Sequence, residues 1–134
     1  ALGADACINY KTSENWSKEA REACEGGPTL TVDSAGGETF ARCLDISRAF
    51  ARVVTYGGTT GDAKIRPFSI FWKQLDVRGT SMGSPDDFAH MLRLFSKGGL
   101  RPAVDEVAPM AEVASAAARV AANQQFGKVV LAIA

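Results

Sequence analysis

Three clusters of small residues carry the ligand chemistry this sequence offers. Ser34-Ala35-Gly36-Gly37 follows the β-branched run Thr29-Leu30-Thr31-Val32-Asp33. Gly57-Gly58-Thr59-Thr60-Gly61 follows Val53-Val54-Thr55-Tyr56, and Thr80-Ser81-Met82-Gly83 follows Leu75 to Gly79. Each cluster reads as the exit of a strand. At the carboxyl end of a parallel sheet such exits meet ligands, and residues without bulk let a flat or anionic ligand approach the backbone. The chemistry is therefore binding and positioning, in one groove along one sheet edge. Acid–base work finds no partners: Asp33 has no histidine or second carboxylate near it in sequence and reads as structural. His90, the single histidine, has no second His or Cys at ligand spacing, which argues against a metal role. The sequence shows no nucleophile elbow.

The elements that must position these clusters follow from periodicity and punctuation. Ala1-Leu2-Gly3-Ala4-Asp5 reads as a helix end and turn, with Gly3 as its terminating glycine. Ala6 to Tyr10 is expected as a largely buried strand. A helix from Glu14 to Cys24 follows, with Thr12 and Ser13 as cap candidates and Trp16, Ala20, Ala23 and Cys24 on one face. Gly26-Gly27-Pro28 stops it before the strand Thr29 to Asp33. Glu38 to Ile46 is an amphipathic helix with Phe40, Cys43 and Leu44 inward, and Phe50 to Tyr56 is the next strand. After a polar loop from Asp62 to Pro67, the aromatic patch Phe68 to Lys73 reads as a helical turn. It packs on the core, forms a subunit contact or lines a pocket, with Lys73 solvated. Leu75 to Gly79 is the third strand of this run.

Ser84-Pro85-Asp86-Asp87 is a helix start: Ser at the cap, Pro at the first helical position, carboxylates in the first turn. Phe88, Met91, Leu92 and Phe95 are expected as its buried stripe, and Lys97-Gly98-Gly99 ends it. Val104 to Val107 is a short strand. Pro109 introduces an Ala-rich helix, Met110 to Ala122, before a final strand, Lys128 to Ile133. The alternation predicts an α/β fold with a mostly parallel sheet and right-handed crossovers.

A length of 134 residues is read as one domain with a real core. Fifteen basic residues balance fifteen acidic ones, which argues against nucleic-acid or membrane-surface binding driven by bulk charge. No apolar run approaches the roughly 20 residues of a membrane span. Cys7, Cys24 and Cys43 are odd in number and widely spaced, so they are expected as reduced, buried thiols of a cytoplasmic protein.

Taken in order, these segments resemble the medium-chain dehydrogenase/reductase family, the zinc-type alcohol dehydrogenase and quinone oxidoreductase group. Ala1 to Asp5 with Ile8-Asn9-Tyr10 is similar to that family's turn into its third Rossmann strand. Val32-Asp33-Ser34-Ala35-Gly36-Gly37 resembles its fourth strand and exit, and Arg52-Val53-Val54-Thr55-Tyr56-Gly57 its fifth. Phe71-Trp72-Lys73-Gln74 and Arg78-Gly79-Thr80-Ser81-Met82-Gly83-Ser84 resemble the sixth, and Phe126-Gly127-Lys128-Val129-Val130-Leu131 the closing strand.

The resemblance implies a partial Rossmann-type, doubly wound parallel sheet over residues 1–134. The first two strands and the G-x-G-x-x-G phosphate loop have no counterpart here, nor does a catalytic domain. The expectation is a fragment with a bare apolar edge at Thr29 to Asp33 and no turnover alone. The resemblance further implies an NAD(P)H-dependent oxidoreductase, moving hydride to or from a carbonyl, quinone, activated alkene or alcohol of a small-molecule substrate. The alternative is an inactive fragment serving only as a dimerisation or interaction module. Cofactor contacts are implied at Ser34, Ala35 and Gly36 on the adenine side, and at Tyr56, Gly57 and Gly58 near the nicotinamide. They are also implied at Thr80, Ser81 and Met82 by the carboxamide, and at Lys128 near the pyrophosphate. Tyr10 would stand beside an adenosine 2′-phosphate, favouring NADP(H) over NAD(H). Zinc ligands, if the parent enzyme has them, would lie outside this chain. A homodimer through the sixth-strand edge is implied as well.

Overall fold

Short β-branched runs and amphipathic helices alternate as the spacing predicts. The computed structural model describes residues 3–133, which form two compact units divided between Met82 and Gly83. In the first unit, α1 (Trp16–Ala23) precedes β1 (Leu30–Asp33), α2 (Gly37–Ile46), β2 (Arg52–Thr55), α3 (Pro67–Phe71) and β3 (Asp76–Gly79). The three strands form a parallel sheet in the order β1-β2-β3. The register places Thr31 beside Val53 and Asp33 beside Thr55.

Side chains alternate across a strand, so this register sends Thr31 and Val53 to one face and Leu30 and Val32 to the other. Val53 is fully buried against Phe40 and Leu44 of α2, with Ala63, Ile70 and Leu75 packed around them. Burying such side chains contributes about 1.5–3 kcal/mol each, which holds α2 on the sheet. The opposite face is open: Leu30 is 58% and Val32 61% exposed. Among the described residues no strand pairs with the outer edges of β1 or β3.

In the second unit, α4 (Pro85–Gly98) starts from a capping box in which Ser84 Oγ accepts from the Asp87 amide while the Asp87 carboxylate accepts from the Ser84 amide. It ends at Gly99, in the left-handed region at φ 63°. Strands β4 (Val104–Pro109) and β5 (Lys128–Ala132) pair in parallel, joined through a 3₁₀ turn and α5 (Val113–Ala121). Ala108 and Ala116 are buried, and Arg119 bridges Asp105 and Glu106.

Several expectations are corrected. Ala6 to Tyr10 is not a strand, because among the described residues no neighbouring strand offers it a ladder; the chain turns instead, with Thr12 and Ser13 amides donating to the Asn9 carbonyl. Helix α1 starts later than expected, capped at Asn15 without a side-chain bond, since the Ser13 hydroxyl is spent on Glu19. Ala23 and Cys24 are exposed, as is Cys7; only Cys43 is the buried thiol expected of all three. Strand β2 begins at Arg52, because Phe50 sits at φ 63°, outside strand geometry. The apolar stripe of α4 is exposed at Phe88, Met91, Leu92 and Phe95, as nothing within its unit covers it. Phe68, Phe71 and Trp72 are exposed too, packing on one another instead of on the core. Lys73 is not solvated: its ammonium donates to the Leu44 and Asp45 carbonyls at the end of α2. The helix end read at Ala1 and Leu2 lies outside the described residues.

Candidate functional site

The exits of β1 and β2 are brought into backbone contact. Gly36 adopts φ 75°, and a Cβ there would stand 2.7 Å from Gly58 Cα. A Cβ on Gly57 would collide with the Ser34 carbonyl oxygen. Glycine is required at both positions by space, and at Gly36 also by conformation. Four further bonds close the junction. The Tyr56 amide donates to the Asp33 carbonyl at 3.1 Å. The Thr60 amide and hydroxyl donate to the Ala35 carbonyl at 3.0 and 2.9 Å. The Gly37 amide donates to the Gly61 carbonyl at 3.0 Å.

Asp33 is the strut beneath this junction. Its carboxylate is buried and accepts from the Gly36 amide at 3.0 Å, the Ala35 amide at 3.4 Å and the Thr55 hydroxyl at 3.3 Å. It closes the turn that follows its own strand, as a structural Asp does. Nearby, burial first and the Asp33 charge second push the Cys43 thiol up to about 11. That thiol is held neutral and inert at ordinary pH.

The third exit joins the same edge through its backbone, the Thr80 amide donating to the Thr55 carbonyl at 3.0 Å. Ser34, Tyr56, Thr80 and Ser81 are exposed along it, and Met82 is 98% exposed. Nine of the eleven predicted contact residues thus line one edge. Tyr10 stands apart, in a cleft of about 320 Å³ beside the first turns of α2, with Trp16, Glu14, Glu38 and Arg42. The Arg42 guanidinium lies 5.9 Å from the Trp16 ring centre and pairs with Glu38 at 2.6 Å. Lys128 opens β5 in the second unit, exposed, its amide donating to the Ala103 carbonyl.

This edge suits the flat ends of a dinucleotide. Gly58 and Gly79 have open space where a side chain would stand, so a ring can lie against backbone there. The carboxylate of Asp33 is buried and fully engaged, so the exits offer exposed hydroxyls and amide groups instead of repelling charge. The pyrophosphate finds no G-x-G-x-x-G cradle in the sequence. Sequence reasoning missed Thr60, the staple between the exits, although it lies inside the Gly57 to Gly61 cluster. It also missed Arg42, whose spacing of four from Glu38 on a helix is the usual sign of an ion pair. Among the described residues no group of three or more His, Cys, Asp or Glu side chains is placed to hold a metal ion, and no helix is long and apolar enough to cross a membrane.

Parallel strands, helical crossovers and small-residue exits define a partial Rossmann-like domain of the kind that holds a nucleotide cofactor. The chain belongs to the zinc-binding dehydrogenase family, whose model matches residues 2–131. It is 29% identical over 140 residues to the zinc-type alcohol dehydrogenase-like protein YogA of Leptosphaeria maculans, covering 98% of this chain and 39% of that protein. The crystal structure of an NAD-dependent alcohol dehydrogenase matches with a TM-score of 0.84 at 28% identity, over 98% of this chain and 39% of that one. The 2-octenoyl-CoA carboxylase reductase CinF, solved with NADP and 2-octenoyl-CoA, shares the fold with a TM-score of 0.79 at 24% identity, over 96% of this chain and 33% of its own. The chain spans about two fifths of the length of the first two relatives.

Proposed function

We propose that this chain is the cofactor-binding segment of an NAD(P)H-dependent oxidoreductase. Its reaction is hydride transfer to or from a carbonyl, quinone, activated alkene or alcohol. The observation that supports this best is the convergence of Ser34, Ala35 and Gly36 with Tyr56, Gly57 and Gly58 at the carboxyl ends of adjacent parallel strands. A bound nicotinamide supplies the hydride chemistry. The chain's own residues hold and orient. Ser34 to Gly36 wall the adenine side, and Tyr56 to Gly58 bound the nicotinamide. Thr80, Ser81 and Met82 present backbone groups to the carboxamide, and Lys128 answers the pyrophosphate charge. No residue here donates a proton to substrate.

NADP(H) is favoured over NAD(H) in this reading because Tyr10 offers a ring face and Arg42 a cation in one cleft. Glu14 and Glu38 in the same cleft oppose a phosphate, so the preference turns on Arg42. The protein acts as a cytoplasmic homodimer through the free edge of β3. A second reading, an association module without catalysis, is favoured by the open apolar face at Leu30 and Val32.

Titration with NADPH and NADH, followed by cofactor fluorescence and by light scattering for mass, tests both. Saturable binding that prefers NADPH and weakens in Tyr10→Ala supports the first reading. A folded dimer that binds neither cofactor overturns it and leaves the second.

A further inference from the structure

A second cleft, of about 460 Å³, opens at the other end of the same sheet, where the chain enters β1 and β2. Sites for small molecules fall in the range of about 300–1,000 Å³. Arg21 of α1, Arg48 before β2, and Arg66 and Lys73 flanking α3 line it, with Asp45 the one carboxylate. This local excess of three positive charges sits in a chain whose net charge is zero. Some of it is structural. Arg48 donates to the Gly27, Cys24 and Glu25 carbonyls, and Lys73 to those of Leu44 and Asp45. These bonds satisfy the carboxyl ends of α1 and α2 and fix both cations in place.

Arg21 and Arg66 are different. Among the described residues each makes one side-chain bond, Arg21 to the Gly26 carbonyl and Arg66 to Asp45 at 3.2 Å. A guanidinium carries five N–H donors, so most of each fork is left for a partner. The cations also feel one another: burial first, and then the Arg21 and Arg66 charges against the pull of Asp45, lower the Lys73 pKa. An anion in the cleft relieves that repulsion. Beside them Phe68 and Trp72 stack at 5.3 Å with their planes 15° apart, and Trp72 stays 71% exposed. A stacked indole with a free face next to paired guanidinium forks is the chemistry that binds a planar base with a phosphate attached.

We propose that this cleft binds a nucleoside monophosphate or a ligand ending in one, its phosphate on Arg21 and Arg66 and its base on Trp72. The site is separate from the small-residue edge, because the two lie at opposite ends of parallel strands. It is independent of the oxidoreductase reading.

Trp16 and Trp72 are the two tryptophans, so Trp16→Phe leaves Trp72 as the sole indole reporter. In that background, AMP is expected to quench fluorescence saturably. Inorganic phosphate should compete with it, and adenosine should bind about tenfold more weakly. Arg66→Gln and Arg21→Gln, both on exposed side chains, should each weaken AMP about tenfold while the chain stays folded at the assay temperature by circular dichroism. Tyr10→Ala should leave the quenching of Trp72 by AMP unchanged, because Tyr10 lies in a different cleft. An absence of quenching by millimolar AMP overturns the proposal, as does quenching that survives the Arg21→Gln/Arg66→Gln pair. Quenching of Trp72 that is lost in Tyr10→Ala overturns it too, by moving the ligand to the other cleft. A hexaglutamate peptide that binds where AMP does not would make the cleft a peptide site and overturn the nucleotide assignment.

Discussion

The Ser34 carbonyl oxygen occupies the space a side chain at Gly57 would need, so the exits of β1 and β2 meet backbone to backbone. Gly57→Ala has no flexible neighbour to push aside. Either the β1 exit shifts or the junction opens, at a cost of about 1–3 kcal/mol. Urea unfolding should show that loss. Cofactor titration of the folded fraction should show a larger loss of binding than the stability change explains, because the displaced atoms are those of the edge itself. An Ala variant as stable as the parent would mean that the close approach is not maintained in solution.

Asp33 holds three donors: two turn amides and the Thr55 hydroxyl, which also reaches the Gly57 carbonyl at 3.5 Å. Removing the acceptor strands buried donors, which costs about 1–3 kcal/mol. Asp33→Ala should therefore destabilise more than Asp33→Asn, whose amide oxygen keeps part of the set. The two variants separate a strut from an acid. If Asp33 were catalytic in the intact enzyme, Asn would be as damaging to turnover as Ala; as a strut, Asn is partly rescued in both stability and binding.

The buried Cys43 thiol gives the chain a dependence on alkaline pH. Its pKa rises from 9.0 to about 11 on folding, through burial first and the Asp33 charge second. Between those values the unfolded chain has released its proton while the folded chain still holds one. Stability therefore falls as pH rises from about 9 to about 11 and levels beyond. Cys43→Ala should flatten that part of the profile relative to the parent, since lysines and tyrosines titrate alike in both. At neutral pH a thiol reagent should label exposed Cys7 and Cys24 quickly and Cys43 only as the chain opens.

The charges around α2 and α3 make the opposite prediction in acid. Burial raises the Asp45 carboxyl, but hydrogen bonds from Ser69 and Arg66 and the Arg66 and Lys73 charges outweigh it and hold its pKa below the ordinary value. The stability this contributes is present above the unfolded value of 3.8 and is lost as pH falls through the lower folded value. Ser69→Ala removes a 2.5 Å bond to that carboxylate. It should shift the acid unfolding midpoint to higher pH by circular dichroism and leave the neutral-pH spectrum unchanged. An unmoved midpoint would show that Arg66 and Lys73 hold the carboxylate without Ser69.

Local features that depend on nearby residues were legible in the sequence. The start of α4 is written in Ser84, Pro85 and Asp87, and its end in Gly99, so both ends are where they are expected. The inward face of α2 follows from period alone, and its Phe40 and Leu44 form the core with Val53, whose face the adjacent Val54 left open in the sequence. The three exits were found because small residues after β-branched runs admit few other readings. What failed depends on partners. A strand at Ala6 to Tyr10 needs a second strand, and a buried stripe on α4 needs a surface to bury it. Neither requirement is visible in a segment's own pattern. The cationic cleft was invisible for a related reason: Arg21, Arg48, Arg66 and Lys73 are scattered along the chain, and only the packing of α1, α2 and α3 gathers them.

In the proposed cofactor-binding reading, the choice between NADPH and NADH turns on the pair at the start of α2. Glu38 takes the Arg42 guanidinium through two bonds, at 3.0 and 2.6 Å. It thereby ties up the one cation in the Tyr10 cleft and leaves a carboxylate beside it. A carboxylate in such a place accepts ribose hydroxyls and repels a 2′-phosphate, whereas a free Arg does the reverse. Glu38→Gln removes the negative charge and frees Arg42. The pair is exposed, so the fold should lose little. The ratio of NADPH to NADH affinity should rise severalfold in this variant and fall below the parent's in Arg42→Gln, read by cofactor fluorescence at low salt, where exposed charges act most strongly. A ratio unchanged in both would remove this cleft from cofactor selection. It would also remove the support that the proposed preference for NADP(H) draws from Tyr10 and Arg42.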